Sequence, residues 1–221
     1  MATRLDASGR RVPNSADVLL DAAAALIAER DSVNITFTDI MRRSGLNSAL
    51  IHYRFGGKAG LLRALLDRQV GDVLAQLDDL VASELGAVEK LDRHIRGTIA
   101  FYFRHPYVNR LVAALAAETD SAMSRDIADR VVRPLARAQA AILSQGVAEG
   151  VFRPIDPTLF YFTLIGACDH LFSARHALKW AFGVDGIDDA LRGRYADHVA
   201  RLLFDSILLR PAAEGGGASA A

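Results

Sequence analysis

The sequence predicts an all-α protein, in which a small N-terminal group of helices is joined to a larger helical domain. Apolar residues recur at helical spacing along almost the whole chain, and no stretch alternates apolar and polar residues as a strand does. Pro106 and Pro157 lie at the starts of such segments, and Gly150 and Gly183 are plausible stops. With 221 residues, of which 51% are hydrophobic, the chain can bury one sizeable core or a small and a larger one.

The first helix is predicted over residues 16–29, after a polar segment over residues 1–13. Asn14 or Ser15 can cap its first turn, because a short polar side chain accepts from the free backbone N–H groups there. An apolar stripe at helical spacing predicts the buried side of this helix: Val18, Leu19, Ala22, Leu26 and Ile27.

Two short helices follow, separated by a glycine. Thr36 and Asp39 have the spacing of a capping box, which predicts a helix over residues 38–44. Gly45 supplies a left-handed stop, and Asn47 can cap the next helix. Two helices joined by a tight glycine turn are the helix-turn-helix pattern, whose second helix lies in the DNA major groove. The pattern therefore predicts a DNA-binding domain.

Helical periodicity divides the second short helix into two faces. Ile51 and Phe55 fall on one side, where they can pack on the rest of the domain. The opposite side carries the residues free to enter a groove: Ser48, Ala49, His52 and Tyr53. A hydroxyl or an imidazole can hydrogen-bond to base edges or phosphates, a methyl suits the thymine methyl, and a tyrosine hydroxyl suits a phosphate oxygen.

Arg54 and Lys58 add positive charge beside this face, and Lys58 follows a glycine pair at a helix start, where phosphate is favoured. Taken alone, a surface histidine or arginine is more often a solvated residue than a DNA contact. The turn glycine, the cap, the aromatic-x-Phe sequence and the lysine together favour the DNA interface.

The run GLNSALIHYRFGGKAGLL resembles the N-terminal signature of TetR-family transcriptional regulators. That signature has a small residue before a Gly-Val or Gly-Leu turn, a short helix ending in aromatic-x-Phe, and a lysine opening a long helix. Ser44-Gly45-Leu46, Tyr53-Arg54-Phe55, Lys58 and Leu61-Leu62 match it over roughly residues 14–65. The chain departs from the signature at Ala49, Leu50 and His52, so the resemblance does not indicate a base preference.

The resemblance implies which residues contact DNA, and it implies a homodimer formed by the last two helices. The family's usual contacts correspond to Thr38, Ser48, Ala49, His52, Tyr53, Arg54 and Lys58. We add Arg42 and Asn47 as further candidates. The implied domains are a helix-turn-helix domain over residues 14–60 and a ligand-binding and dimerisation domain over residues 61–210.

The charge distribution favours a site-specific regulator over a nucleic-acid packaging protein. The formal net charge is zero, whereas a non-specific coat protein would be strongly basic. Residues 1–60 contain eight basic and six acidic residues, and the remainder contains 18 basic and 20 acidic ones. Arg10 and Arg11 in the N-terminal arm are available to the DNA backbone or minor groove.

No secretory signal or bilayer-spanning apolar stretch is found, so we expect a cytoplasmic protein. Cys168 is the single cysteine, which excludes an internal disulfide framework and a cysteine zinc site. Its apolar surroundings favour a buried, inert thiol. Neither a cofactor nor a metal site is expected, because only His170 and His176 share ligand chemistry on their helix.

Beyond Lys58 the pattern predicts helices only, over residues 58–80, 87–105, 106–118, 124–149, 157–181 and 188–210. Pro134 lies inside one of them, where we expect a kink or a break. The segment over residues 157–181 is apolar nearly all round, which predicts burial on more than one side. With the last helix and their twofold mates it could form a four-helix bundle. The glycine-rich tail over residues 211–221 is assigned no fold.

The larger domain is also where we expect a ligand. Aromatic and histidine side chains suggest a mostly apolar cavity with few polar anchors, lined by Tyr102, His105, Phe172 and His176. Aromatic residues at helical spacing are nevertheless more often ordinary core.

The sequence is therefore interpreted as a homodimeric repressor that binds a palindromic operator and is released by a small, largely apolar effector. An activator of the same fold and a non-specific DNA-bridging protein remain alternatives. A third is an enzyme with Cys168 as nucleophile and His170 or His176 as base, although no catalytic motif supports it.

Overall fold

A computed structural model describes residues 14–117 and 122–209, and within these ranges the chain is helical apart from its connections. Eleven α-helices are described: α1 Ser15–Arg30, α2 Phe37–Ser44, α3 Ser48–Phe55, α4 Lys58–Ala82, α5 Ala87–Arg104, α6 Val108–Leu115, α7 Ala122–Ile127, α8 Arg133–Ala148, α9 Pro157–Ser173, α10 Arg175–Phe182 and α11 Asp189–Ile207. The predicted all-α class is confirmed. The predicted N-terminal arm, with Arg10 and Arg11, and the tail over residues 211–221 lie outside the described residues.

The three N-terminal helices begin at the predicted caps, and α2 ends at the predicted glycine. Asn14 caps α1 and forms a capping box with Asp17, and Thr36 and Asp39 form the predicted box at the start of α2. Gly45 ends α2 in the left-handed conformation, with φ of 71°, which a residue without Cβ adopts at little cost. Asn47 caps α3 by accepting from the Ala49 backbone N–H. The predicted caps are confirmed.

Helix α4 belongs to both halves of the molecule. It packs on α1 and α3 near its start and on α6 and α8 farther along. Leu61 and Leu65 are fully buried near its start, and Leu77 is buried near its end. The helix therefore crosses the boundary predicted at residue 60 and links the helix-turn-helix to the larger helical bundle.

Helix α5 is at the centre of the larger bundle, in contact with α8, α9 and α11. Its buried residues Leu91, Ile95 and Ile99 recur at helical spacing, and the fully buried Cys168 of α9 lies with its Sγ 4.0 Å from the Ile95 carbonyl oxygen. This core holds the helices that surround the cavity described below.

Two predicted helices were wrong in their extent. The predicted helix over residues 106–118 is α6, which begins at Val108, because Pro106 lies in the turn before it. The predicted helix over residues 157–181 is interrupted at Ala174, whose φ of −101° and ψ of 25° separate α9 from α10. Arg175 at the start of α10 donates to the Ala28 carbonyl of α1 at 2.8 Å, a long-range contact that local periodicity does not report.

The expected disturbance at Pro134 is confirmed. Residues Ala128–Val132 form a π-helical turn between α7 and α8, and Pro134 lies in the first turn of α8. Proline has no N–H and its ring excludes the carbonyl four residues earlier, so the α-helical hydrogen-bond pattern cannot continue through it.

Candidate nucleic-acid interface and ligand cavity

The recognition helix α3 presents the two faces that its sequence predicts. Ile51 is fully buried against the domain core, whereas the Tyr53 side chain is 83% exposed. Ala49, His52 and Arg54 are also exposed, and Ser48 is half-buried at the start of the helix. A polar and aromatic surface is therefore free to meet a groove.

The start of α2 adjoins this surface. The imidazole of His52 packs on the Phe37 ring, with 5.0 Å between ring centroids, and Thr38 is exposed next to Phe37. A shallow depression between α2 and α3 is lined by Thr38, Met41, Arg42, Gly45, Leu46 and Asn47. The side-chain oxygen of Asn47 accepts the α3 capping hydrogen bond from the Ala49 N–H, so its amide nitrogen is the group available as a donor.

Asp39 organises the cations beside the depression. Its carboxylate accepts two hydrogen bonds from Arg30, at 2.6 and 2.7 Å, and one from Arg42 at 3.1 Å. The hydrogen bonds from Arg30 and then from Thr36 hold the pKa of Asp39 well below its usual range. The hydrogen bond to Asp39 therefore orients the Arg42 side chain, which remains 70% exposed. Sequence reasoning identified Asp39 as a cap and missed its second role.

Arg54 and Lys58 differ from Arg42 because neither forms a salt bridge with a described residue. Arg54 is exposed, and Lys58 occupies the first position of α4. Unpaired cations beside a helix amino terminus are suited to phosphate oxygens.

The larger bundle contains a partly open cavity of about 340 Å³ lined by α4, α5, α6, α8, α9 and the π-helical turn. Most of its wall is aliphatic, with contributions from Val70, Val73, Leu74, Leu77, Leu80, Val108, Val112, Val131, Val132, Leu135 and Ile165. Phe101, Tyr102 and Tyr161 add aromatic surface. The size and the wall suit a small, largely apolar molecule.

Polar side chains also line the cavity: Gln76, Arg93, His94, Thr98, Arg104 and Asn109. Asn109 lines it and donates to Asp169 at 3.0 Å. His94 lines it and lies 3.0 Å from the Gln139 amide nitrogen. Burial lowers the pKa of His94 to about 4, so the imidazole is neutral at pH 7 and adds no charge to the wall.

The structure separates the four predicted ligand residues. Tyr102 lines the 340 Å³ cavity, whereas Phe172 and His176 line a second hollow of about 460 Å³ beside α10. His105 lines neither, and its ring packs between Phe101 and Tyr107. Asn109 lines the cavity but was not predicted to, because nothing in the local pattern shows that α6 meets α9 there.

A carboxylate joins the helix-turn-helix to the larger bundle. Asp31 ends α1 with φ of 52°, and its side chain is only 11% exposed. It pairs with Arg110 of α6 and with Arg175 and His176 of α10. Burial alone would raise the pKa of Asp31, but the hydrogen bond and charge of Arg110 and the charges of Arg175 and His176 lower it.

Helices α9 and α11 leave an apolar surface uncovered. Leu159 and Phe162 of α9 are 66% and 67% exposed, and Leu202 of α11 is 57% exposed. The two helices pack on each other. Large apolar residues at this exposure are typical of an interaction surface.

Comparisons with known proteins agree with this arrangement. The family model described as "Bacterial regulatory proteins, tetR family" matches residues 19–65. The model described as "Tetracyclin repressor-like, C-terminal domain" matches residues 84–213, more than half of the chain. The HTH-type transcriptional regulator BetI of Agrobacterium fabrum is 41% identical over 63 residues, which are 27% of this chain and 31% of BetI. The match thus spans about a third of that relative.

Solved structures extend the likeness to the whole fold. The ketosteroid transcriptional regulator KstR2 of Mycobacterium tuberculosis has a TM-score of 0.67 and 23% identity, covering 90% of this chain and 98% of KstR2. AibR, solved with isovaleryl coenzyme A and operator DNA, has a TM-score of 0.67 and 22% identity, covering 86% of this chain and 98% of AibR. The fold is an N-terminal helix-turn-helix joined by a long helix to a bundle that contains a cavity, and the two family models match these two parts. The chain therefore belongs to the TetR family of transcriptional regulators.

Proposed function

We propose that the protein is a homodimeric repressor that binds a near-palindromic operator and is released from it by a small, largely apolar effector. The position of α4 is the observation that carries this proposal. The helix begins with Lys58 beside the recognition helix and lines the 340 Å³ cavity from Val70 to Leu80. A ligand in that cavity touches the helix that positions the DNA-binding surface.

The DNA-binding part of the proposal is supported by the exposed face of α3. Ser48, Ala49, His52 and Tyr53 would face the groove, and Arg54 and Lys58 would contact phosphates. Thr38, Arg42 and Asn47 border the depression beside that face, where they would contact the DNA backbone. One eight-residue helix reads few bases, so a dimer with recognition helices about 34–36 Å apart would supply the needed specificity.

The uncovered surface of α9 and α11 supports the homodimer. Leu159, Phe162 and Leu202 would be buried against the same residues of a second copy related by a twofold axis. Four helices would then form the interface. This arrangement is the one predicted for the last two long helices, with α10 now separated from α9.

The ligand-binding part of the proposal rests on the cavity wall, which includes Tyr102, one of the four predicted ligand residues. AibR was solved with an acyl thioester and operator DNA, so a related fold holds both kinds of partner. For this chain the effector acts only if it binds the free and operator-bound states with different affinity. Equal affinity for both states would remove the proposed control.

An activator of the same fold differs from this proposal only in the sign of regulation. An enzyme is disfavoured because Cys168 is fully buried and burial, with the charge of Asp169, raises the pKa of its thiol to about 12. The thiolate needed for nucleophilic attack is then absent near neutral pH. A non-specific bridging protein is disfavoured by the net charge of zero.

The first experiment is a selection of fragmented genomic DNA by the purified protein, read by sequencing. Recovery of one or a few short near-palindromes is expected, and the Tyr53→Ala, Arg54→Ala double variant is expected to recover much less of the same sequences, because it lacks two backbone contacts. Recovery of every sequence, with binding that falls steeply as salt rises, would contradict the proposal and favour bridging. Transcription in vitro from the recovered promoter then separates a repressor from an activator.

A further inference from the structure

The 340 Å³ cavity meets solvent along one face of α5. Most residues that line it are buried or half-buried, and the exposed ones form its mouth: Gln76, Arg93, Gly97 and Arg104. Arg93, Gly97 and Arg104 are spaced by four and then seven residues, so they share one face of the helix. A Cβ added at Gly97 would meet nothing within 4 Å. The mouth is therefore open between two arginines.

The charge at this mouth has one sign. Arg93 and Arg104 line the cavity, and no aspartate or glutamate of the described residues does so. His94, which also lines it, is neutral at pH 7 because burial lowers its pKa to about 4. A cleft with charge of one sign attracts ligands of the opposite sign. The wall thus favours an anionic group at the mouth and no charge farther in.

The two arginines differ in what they already bind. Arg93 donates from Nη2 to Glu89 Oε1 at 2.6 Å. Arg104 donates only from Nε, to the Ala100 carbonyl at 3.2 Å, and its two terminal nitrogens have no partner among the described residues. A guanidinium with both terminal nitrogens free can hold a carboxylate or a phosphate by two parallel hydrogen bonds. Arg104 is therefore the group that can take an anion.

The end of α5 around Arg104 is electropositive. Burial, and then the positive charges of Arg104 and Arg68, lower the pKa of the neighbouring His105. Arg68 forms a salt bridge with Asp21 at 2.8 Å, whereas Arg104 forms none with a described residue. The charge of Arg104 is thus the one left uncompensated at the mouth.

The wall behind Arg104 is apolar. Phe101 and Val108, three residues before it and four residues after it in the sequence, line the cavity and are buried. Val70 and Leu77 of α4 are also buried and line it. Because Arg104 is exposed, a head group bound to it stays in contact with water, and only a hydrocarbon chain has to leave water.

We propose that the effector is an apolar anion, whose carboxylate or phosphate head is held by the Arg104 guanidinium at the mouth while its hydrocarbon chain fills the cavity. This inference rests on the ligand cavity of the proposed function and specifies the chemistry of the molecule that occupies it. The chain would contact Val70 and Leu77 of α4, the helix that leads to the DNA-binding surface. A cationic head would meet arginines at the mouth and would be repelled.

The test compares four molecules that have the same chain and different head groups: octanoate, octyl phosphate, 1-octanol and octylamine. Titration calorimetry with the full chain at pH 7.5 is expected to show the better anion binding at least about fivefold more tightly than 1-octanol, with octylamine weakest. A single exposed ion pair contributes up to about that factor, and a bidentate one contributes more. The tighter of octanoate and octyl phosphate identifies the head group.

The variant Arg104→Met removes the charge and keeps an apolar stem of similar length. Its preference for the anion over 1-octanol is expected to fall to less than about twofold, while 1-octanol binds as before. The matched control is Arg93→Met, at the other arginine of the mouth. Arg93 lies eleven residues from Arg104, about 16 Å along the helix, which exceeds the Debye length of about 8–10 Å. This control should keep the full preference.

Three results overturn the inference: 1-octanol or octylamine binding as tightly as both anions, neither anion binding, or Arg104→Met retaining the preference. The last result would place the head group beside another cation, such as Arg175 or Lys179 of the second hollow. Loss of the preference in Arg93→Met as large as in Arg104→Met would also overturn the assignment to Arg104. The proposed function fails separately, when the DNA selection recovers no preferred site.

Discussion

The close approach of Gly60 to the recognition helix makes Gly60→Ala the most informative single substitution. Gly60 lies in the first turn of α4, and a Cβ placed there would stand 2.9 Å from the carbonyl carbon of Phe55 and would overlap its carbonyl oxygen. Real Cβ atoms essentially never lie within 3.0 Å of a heavy atom of this kind, such as a backbone carbon or oxygen of another residue. Phe55 is the last residue of α3. The obstructing atoms are backbone, so no side-chain rotation relieves the clash, and α3 must move relative to α4.

The expected magnitude follows from two opposing effects. Replacing glycine with alanine inside a helix stabilises it by up to about 1 kcal/mol, whereas forcing an extra carbon into a packed contact costs about 1–3 kcal/mol or more. We expect Gly60→Ala to lower the free energy of unfolding by about 1–2 kcal/mol. In a chain of this size that lowers the melting temperature by about 2–8 °C. Operator affinity should fall further, because Tyr53 and Arg54 lie in the displaced last turn of α3.

The matched control is Gly71→Ala in the same helix. Gly71 is exposed, and an added Cβ there meets nothing within 4 Å, so this variant should be as stable as the parent or up to about 1 kcal/mol more stable. Urea unfolding followed by circular dichroism gives the free energies, and fluorescence anisotropy on the selected operator gives the affinities. The reasoning is refuted if Gly60→Ala unfolds at the same urea concentration as Gly71→Ala and binds the operator with undiminished affinity.

Three further predictions concern the junction, the DNA face and the dimer. Asp31→Asn should lower the free energy of unfolding by about 1–3 kcal/mol, because it removes a charge from a hydrogen-bonded, largely buried site. The control Asp185→Asn, at a carboxylate that is 88% exposed, should change the free energy of unfolding in urea by less than about 0.5 kcal/mol. Because the pKa of Asp31 is lowered in the folded protein, the stabilisation by its carboxylate is present above about pH 4 and is lost as pH falls through the folded pKa. The difference in unfolding free energy between Asp31→Asn and the parent should therefore shrink in acid. A difference that stays constant with pH would contradict this assignment. Tyr53→Ala should weaken operator binding several-fold in anisotropy titrations without lowering the melting temperature, since the side chain is 83% exposed; a lower melting temperature would show that it packs on the domain. Phe162→Glu and Leu202→Glu should each convert the protein to a monomer in analytical ultracentrifugation, and an unchanged dimer would place the interface elsewhere.

The DNA-binding part of the molecule was predictable because its determinants are local. The capping box of Thr36 and Asp39, the glycine at position 45 and the cap at Asn47 act within a few residues of the helix ends they define. The division of α3 into a buried and an exposed face follows from helical spacing alone. What local patterns could not show is the pairing of Asp39 with Arg30 and Arg42, or the contact that requires Gly60.

By itself, the sequence determined the all-α class, most helix boundaries and the surface of α3, since caps, breakers and apolar periodicity are short-range properties of the chain. Tertiary structure alone decided which helices line the cavity, and it placed Tyr102 in one hollow and His176 in another. It also broke the long apolar segment at Ala174 and brought Asn109 to Asp169, 60 residues apart. Such contacts depend on how helices cross in space. Each helix has the same periodicity whichever partner it packs against, so these contacts cannot be predicted from any single segment of the sequence.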